Sequence, residues 1–246
     1  MLLPPQSISN VRQLHARRQG YCAQTAPGLA LGMIISGGRN YIFVHIPKTG
    51  GTSMALALEW RAMADDILIG DTPKARKRRR RLDGAQAVGR LWKHSTLSDI
   101  VGLVPPEQIA GAFTFTMVRN PWDRMVSYYT WLRRQSFDHP AVTLAKKLDF
   151  SAFLNHPHTA ASLRAAPYGS YMRGPDGREH CRAFIRLEHL DEDTAPLWAH
   201  LGFRLDLTHE NRSGRTADYR EAYNDADAET LARLCSEDIA RFGYAF

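Results

Sequence analysis

The chain has little cysteine: three residues in 246, at Cys22, Cys181 and Cys235, far apart, odd in number and never in a C-x-x-C pair. That spacing excludes a disulfide framework or a structural zinc site, and leaves small buried or half-buried thiols in a reducing cytosol. Long apolar runs are also missing. No stretch reaches the roughly 18 apolar residues of a membrane-spanning helix. Gly28 to Ile35 is apolar but short, and it runs into a glycine turn, so it reads as core-packed. The first ten residues lack the basic-then-apolar order of a secretory signal, and the expected location is cytoplasmic. Neither an internal repeat nor an obvious linker occurs, which fits one domain over residues 1–246.

A composition of 44% hydrophobic and 23% charged residues is that of an ordinary globular chain able to bury a full core. The formal net charge of +7 points to an anionic partner: nucleic acid, an acidic polysaccharide, a membrane surface or a polyanionic cofactor. The densest charge is Lys74 to Arg81, seven basic residues in eight. Its ordinary reading is a solvated, mobile loop. Its sharper reading is an anion-binding patch for an acidic acceptor, a membrane surface or nucleic acid. No aromatic residue is interleaved there, which counts against nucleic acid.

Gly37-Gly38-Arg39-Asn40 signals a turn, and Tyr41 to Ile46 is a β-rich run of strand length. Thr52 to Ala64 is rich in helix formers and free of breakers. Ile67 to Ile69, Phe113 to Val118 and Phe184 to Leu187 are further strand candidates. Asp227 to Phe242 carries apolar residues at 231, 234, 235, 239 and 242, the pattern of a terminal helix.

A strand feeding a glycine turn that opens a helix makes an anion site, because the turn and first-turn amides are unsatisfied and the helix dipole favours negative charge. Here the turn is Pro47-Lys48-Thr49-Gly50-Gly51-Thr52-Ser53. Gly50 and Gly51 let backbone approach a phosphate, Thr52, Ser53 and Thr49 bring hydroxyl donors, and Lys48 brings a point charge. Thr52 or Ser53 can alternatively serve only as helix cap. A Walker A loop is excluded, since its lysine follows the last glycine and Lys48 precedes both. A strand-end aspartate for magnesium is missing too: Val118 leads into Arg119, and Asp71 is a weak substitute.

The second constellation is Val118-Arg119-Asn120-Pro121, continuing through Arg124 and Ser127 to Tyr129. Asn120 can cap the helix that Pro121 opens, which sets Arg119 beside a helix N-terminus where its guanidinium can grip a phosphate. Arg124 shares a helix face with Ser127. The alternative is structural: either arginine pairs with a carboxylate, and Ser127 bonds back within its helix.

His45-Ile-Pro-Lys-Thr-Gly-Gly-Thr-Ser53 closely resembles the phosphosulfate loop of the sulfotransferases. It is most similar to the branch that holds carbohydrate and heparan 2-O-sulfotransferases and many bacterial relatives. Arg119 with Ser127 eight residues later resembles that family's 3′-phosphate motif. The resemblance implies 3′-phosphoadenosine 5′-phosphosulfate (PAPS) as sulfuryl donor, with no metal required. It implies Lys48 at the bridging oxygen, Thr49, Gly50, Gly51, Thr52 and Ser53 around the 5′-phosphate, and Arg119 and Ser127 on the 3′-phosphate. Lys93-His94-Ser95-Thr96-Leu97 resembles a K-H-x-T-L segment of bacterial relatives and implies His94 as general base. A purely structural His94 is the alternative. His45 is the next candidate, though at a strand end it fits better as orienting the loop, and Glu59 lies too far along its helix.

Ile185 to Leu190 resembles the family's R-x-E-x-L strand and turn, and His209 to Ser213 its H-x-N-x-S loop, which implies Arg212 and Ser213 over the nucleotide. The resemblance covers about residues 40–246, leaving 1–39 as an N-terminal extension. It implies an α/β, P-loop-NTPase-like three-layer fold with a central, mainly parallel sheet flanked by helices. The expected reaction is sulfuryl transfer to a hydroxyl of a saccharide or glycoconjugate, with specificity in 128–180 and the basic segment. Peripheral membrane contact through 74–81 stays open and nucleic acid is disfavoured. The competing classes are an ATP-dependent phosphotransferase of similar strand–loop–helix architecture and a non-catalytic polyanion-binding module.

Overall fold

The computed structural model describes residues 31–207 and 218–246. Its centre is a five-stranded sheet: β1 (Leu31–Ser36), β2 (Tyr41–Val44), β3 (Ile67–Gly70), β4 (Phe113–Val118) and β5 (Ala183–Arg186), in the order β3-β1-β2-β4-β5. The turn at 37–40 folds β1 back on β2 as an antiparallel hairpin with Ser36 opposite Tyr41. Asn40 closes it with φ 51°, a left-handed conformation that asparagine tolerates, and its N–H reaches the Gly37 carbonyl at 3.2 Å. β1 is also antiparallel to β3, whereas β2–β4 and β4–β5 are parallel.

Four strands therefore run one way and β1 runs against them. The expected mainly parallel sheet holds across β2, β4 and β5 and gives way at β1. The expected extension over 1–39 is corrected in the same place: residues 31–36 form an interior strand, because the short turn leaves them no path except alongside β2.

Twelve helices occur among the described residues: α1 (Gly51–Trp60), α2 (Pro73–Arg78), α3 (Pro106–Gly111), α4 (Pro121–Arg133), α5 (Pro140–Lys147), α6 (Phe150–Asn155), α7 (Pro157–Ala165), α8 (Tyr168–Tyr171), α9 (Leu190–Asp193), α10 (Ala195–Leu201), α11 (Asp225–Leu234) and α12 (Ser236–Phe242). Proline opens five of them, where its missing N–H costs nothing. The expected single terminal helix is two, meeting at Cys235. None of the helices is long and apolar enough to cross a membrane.

Strand side chains alternate between two apolar layers. Ile34, Tyr41, Phe43, Phe115 and Met117 pack on Met54 and Leu58 of α1 and on Leu197 of α10. Met33, Ile35, Ile42 and Val44 pack on Leu97, Ile100, Val104, Ile109 and Tyr168. Burial on both faces explains why these strands read as continuous apolar runs. A third cluster joins Trp122, Met125, Tyr129 and Leu132 of α4 to α5, α6, α7 and α11.

The basic segment is not the mobile loop that its charge suggested. It forms α2 and a 3₁₀ turn, Arg79–Leu82. Thr72 caps α2 by accepting from the Ala75 N–H and donates to buried Glu59. Several of its cations hold backbone carbonyls at the end of α1 and in the turns that follow it. Lys74 Nζ lies 2.5 Å from the Glu59 carbonyl, Arg78 2.8 Å from that of Met63, and Arg81 3.1 Å from that of Asp66.

Among the described residues β3 has β1 as its only sheet neighbour. A chain begun at residue 40 should therefore lose cooperative urea unfolding followed by circular dichroism; a retained single sharp transition would show that β1 is dispensable.

Candidate functional site

β2 ends at Val44, and the carbonyls of the next residues are taken one after another by side chains. Thr116 Oγ1 on β4 donates to Val44 (2.7 Å), His94 Nδ1 to His45 (2.7 Å), Thr49 Oγ1 to Ile46 (2.9 Å) and Arg124 Nε on α4 to Pro47 (2.9 Å). Arg119 Nη1 lies 3.5 Å from the Lys48 carbonyl, at the edge of bonding distance. With its acceptors bound inward, the loop has mainly donors left to present.

Gly50 has φ 83° and opens α1 with no side-chain cap, so Thr52 and Ser53 do not serve as one. Within that first turn the Ser53 N–H reaches the Gly50 carbonyl at 3.2 Å, and no side-chain cap satisfies the amides that precede it. Lys48 also adopts a left-handed backbone, φ 65°, which costs on the order of 1–3 kcal/mol outside glycine and clusters at ligand clamps. Lys48, Gly50, Thr52 and Ser53 are half-exposed, so this lip of the loop reaches solvent.

The glycines have a second reason beyond phosphate approach. A Cβ on Gly51 would lie 2.4 Å from His45 Cδ2, and one on Gly50 2.7 Å from Leu187 Cδ1. Thr49 is fully buried with its hydroxyl hydrogen on Ile46. Its hydroxyl is therefore engaged within the loop and is not the outward donor that the sequence allowed.

At the second constellation Asn120 caps α4, accepting from the Trp122 N–H at 3.0 Å. Its own N–H donates to Glu188 (2.7 Å) and its Nδ2 to the Ala245 carbonyl (2.9 Å), which ties α4 to the turn after β5 and to the C-terminus. Arg119 is paired with Asp123 one turn along: Nε at 2.7 Å and Nη2 at 2.5 Å from Oδ2. An anion at Arg119 must share or displace that carboxylate.

Arg124 stacks over the Tyr168 ring at 4.8 Å and is 6% exposed. Tyr168 donates its hydroxyl to the Arg119 carbonyl (2.6 Å) and its N–H to Asp238 (2.9 Å), whose carboxyl is pushed up to about 6 chiefly by burial. Ser127 is buried on α4. Arg212 and Ser213 lie outside the described residues.

His94 is 6% exposed. A carbonyl only accepts, so the bond to His45 puts the ring proton on Nδ1 and leaves Nε2 as the basic nitrogen. The ring stands edge-on to His45 (4.8 Å) and Trp92 (5.1 Å). Burial, then the neighbouring His45 and Lys93, holds its pKa well below the usual histidine range, so it is neutral at physiological pH. The bond to the His45 carbonyl gives His94 the structural role that the sequence allowed.

The structure thus joins the loop, His94, Arg119 and Arg124 through direct contacts. Sequence reasoning missed Trp131, whose ring centroid lies 5.6 Å from Lys48 Nζ, as well as Tyr168 and Asp238. Only the i, i+4 spacing of Arg119 and Asp123 was available as a signal for that ion pair. Glu59, at the far end of α1, accepts from Thr72, and Asp71 pairs with Arg79 at 2.9 Å. A cavity of about 400 Å³ lined by Asp138, Pro140, Thr143, Leu144, His156 and His158 includes no residue of the loop. Among the described residues no group of three or more His, Cys, Asp or Glu side chains is arranged to hold a metal.

A profile of the sulfotransferase family matches residues 32–245. No curated protein and no solved structure matches the chain.

Because the folded pKa of His94 lies below its unfolded value of about 6.5, the unfolded chain takes up this proton first as pH falls. The contribution is intact above about pH 6.5 and is lost on acidification towards the folded pKa. Asp238, raised to about 6, acts in the opposite sense as pH rises from about 4 to 6. His94→Asn keeps a donor for the His45 carbonyl and removes the titration. Denaturation from about pH 7.5 to 5.5 should show wild type losing stability relative to this variant; parallel curves would show that His94 titrates normally.

Proposed function

The chain belongs to the sulfotransferase family, and from that premise we propose that it moves a sulfuryl group from PAPS to a hydroxyl of a saccharide or glycoconjugate. The observation that carries this is the run from Val44 to Pro47, its carbonyls held inward while α1 begins without a side-chain cap. PAPS supplies the sulfuryl group already activated on a phosphate. The amides of Thr49, Gly50, Gly51, Thr52 and Ser53, backed by the α1 dipole, suit its 5′-phosphate. Arg119 and Ser127 hold the 3′-phosphate, Arg119 sharing its fork with Asp123, and Ser213 completes the nucleotide contacts. Strand, loop and helix then form a P-loop-NTPase-like unit.

Lys48 places positive charge at the leaving oxygen, as electrostatic stabilisation requires. With that charge and the helix N-terminus in place, the proposed reaction needs no metal. His94 Nε2 takes the acceptor's proton, while the His45 carbonyl keeps the ring in the required tautomer and supports the imidazolium. The loop and the Arg119-Asn120-Pro121 segment favour the carbohydrate and heparan 2-O-sulfotransferase-like branch and its bacterial members. Cys181 and Cys235 are free thiols, which fits a cytoplasmic site of action.

The test is transfer from radiolabelled PAPS to a panel of saccharides, lipids and small alcohols, beside ATP with magnesium. Label should move from PAPS, and His94→Asn should lower turnover about 10²–10⁴-fold with adenosine 3′,5′-bisphosphate binding nearly intact. Phosphate transfer from ATP alone would contradict the reading.

A second outcome separates the two phosphate sites. Adenosine 3′,5′-bisphosphate at 100 times its Kd should stabilise the protein by about 2.7 kcal/mol, and AMP at the same concentration far less. Equal shifts in melting temperature would remove Arg119 and Ser127 from the 3′-phosphate.

A further inference from the structure

We propose that the face built from α2, the 3₁₀ turn Arg79–Leu82 and the end of α1 is a docking surface for an anionic lipid membrane, with Trp60 seated in the headgroup layer. This stands independently of the transfer chemistry. Trp60, the last residue of α1, is 84% exposed, and Met63 beyond it is 37% exposed. An indole so exposed is unusual on a surface that faces only water, and at a bilayer interface its apolar body and polar N–H are both accommodated.

The neighbouring cations are positioned rather than dangling. Lys74, Arg78 and Arg81 fasten the basic segment to the carbonyls of Glu59, Met63 and Asp66 on either side of Trp60. Basic helix and indole therefore belong to one rigid patch. Arg76, Lys77, Arg79, Arg80 and Arg81 remain exposed on it. The acidic residues within 59–83 do little to offset them. Glu59 and Asp66 are buried, Asp71 offsets Arg79, and Asp65 and Asp83 are the exposed carboxylates set against Arg76, Lys77, Arg80 and Arg81.

A cluster of cations on a short helix, with one protruding aromatic at its border, is complementary to a negatively charged planar surface. It lacks the aromatic interleaving by which bases are stacked. Trp60 stands nine residues beyond Gly51 along α1, about 14 Å at the helical rise, so docking leaves the glycine loop open.

The test uses the full chain with vesicles of phosphatidylcholine alone and of phosphatidylcholine mixed with phosphatidylglycerol, followed by co-sedimentation and tryptophan emission. Binding should be confined to the anionic vesicles and weaken steeply with salt. The triple variant Arg76→Glu, Lys77→Glu, Arg80→Glu should bind at least about tenfold more weakly. Trp60→Ser should weaken binding and abolish the vesicle-induced blue shift. Both variants should keep the wild-type melting temperature; should the triple variant fail to fold, Trp60→Ser alone decides. Equal binding to neutral vesicles, indifference to the substitutions, or binding to heparin with none to anionic vesicles would overturn the proposal.

Discussion

The candidate site depends on how the carbonyls between β2 and α1 are held. A peptide loop presents acceptors as readily as donors, and an anion is repelled by the acceptors. Here four consecutive carbonyls, Val44 to Pro47, are bonded at 2.7–2.9 Å by Thr116, His94, Thr49 and Arg124. Each such bond contributes about 1 kcal/mol net, but leaving a buried carbonyl unpaired costs about 1–3 kcal/mol. The arrangement is therefore enforced by what its loss would leave unsatisfied. It also offsets the left-handed backbone of Lys48 and fixes Gly50 as the opening of α1.

The four donors come from β4, the segment before α3, the loop itself and α4. The loop is thus the meeting point of both sheet faces and the helical lobe. Arg124 reaches it while stacked on Tyr168, and Tyr168 is held in turn by Asp238 of α12 and bonded to the Arg119 carbonyl. Glu188 fixes the Asn120 amide from the other side. His94 shows the economy of this design: one hydrogen bond anchors the loop and sets the tautomer that leaves Nε2 basic. On the proposed mechanism, donor loop and base cannot move independently.

What was legible in the sequence was local. The β-rich run, the paired glycines and the Asn120-Pro121 helix start are decided by neighbours in sequence, and they appear as β2, the loop and α4. What was missed is decided by distant partners. Residues 31–36 look like part of an extension until β3 pairs with them. Lys74, Arg78 and Arg81 look solvated until carbonyls at and just beyond the end of α1 receive them. Arg124 could be placed only on the helix face of Ser127 or beside a carboxylate, yet it holds a carbonyl 77 positions earlier. Trp131 and Tyr168 carry no motif, because an aromatic beside a lysine or beneath an arginine is placed only by tertiary packing.

The most direct measurement is a crystal structure with adenosine 3′,5′-bisphosphate bound. The account predicts the 5′-phosphate against the amides of Thr49 to Ser53, the 3′-phosphate at Arg119 and Ser127, and the bonds of His94 and Arg124 to the loop carbonyls retained. A nucleotide seated away from the start of α1, or a loop that turns its carbonyls outward to receive it, would contradict it.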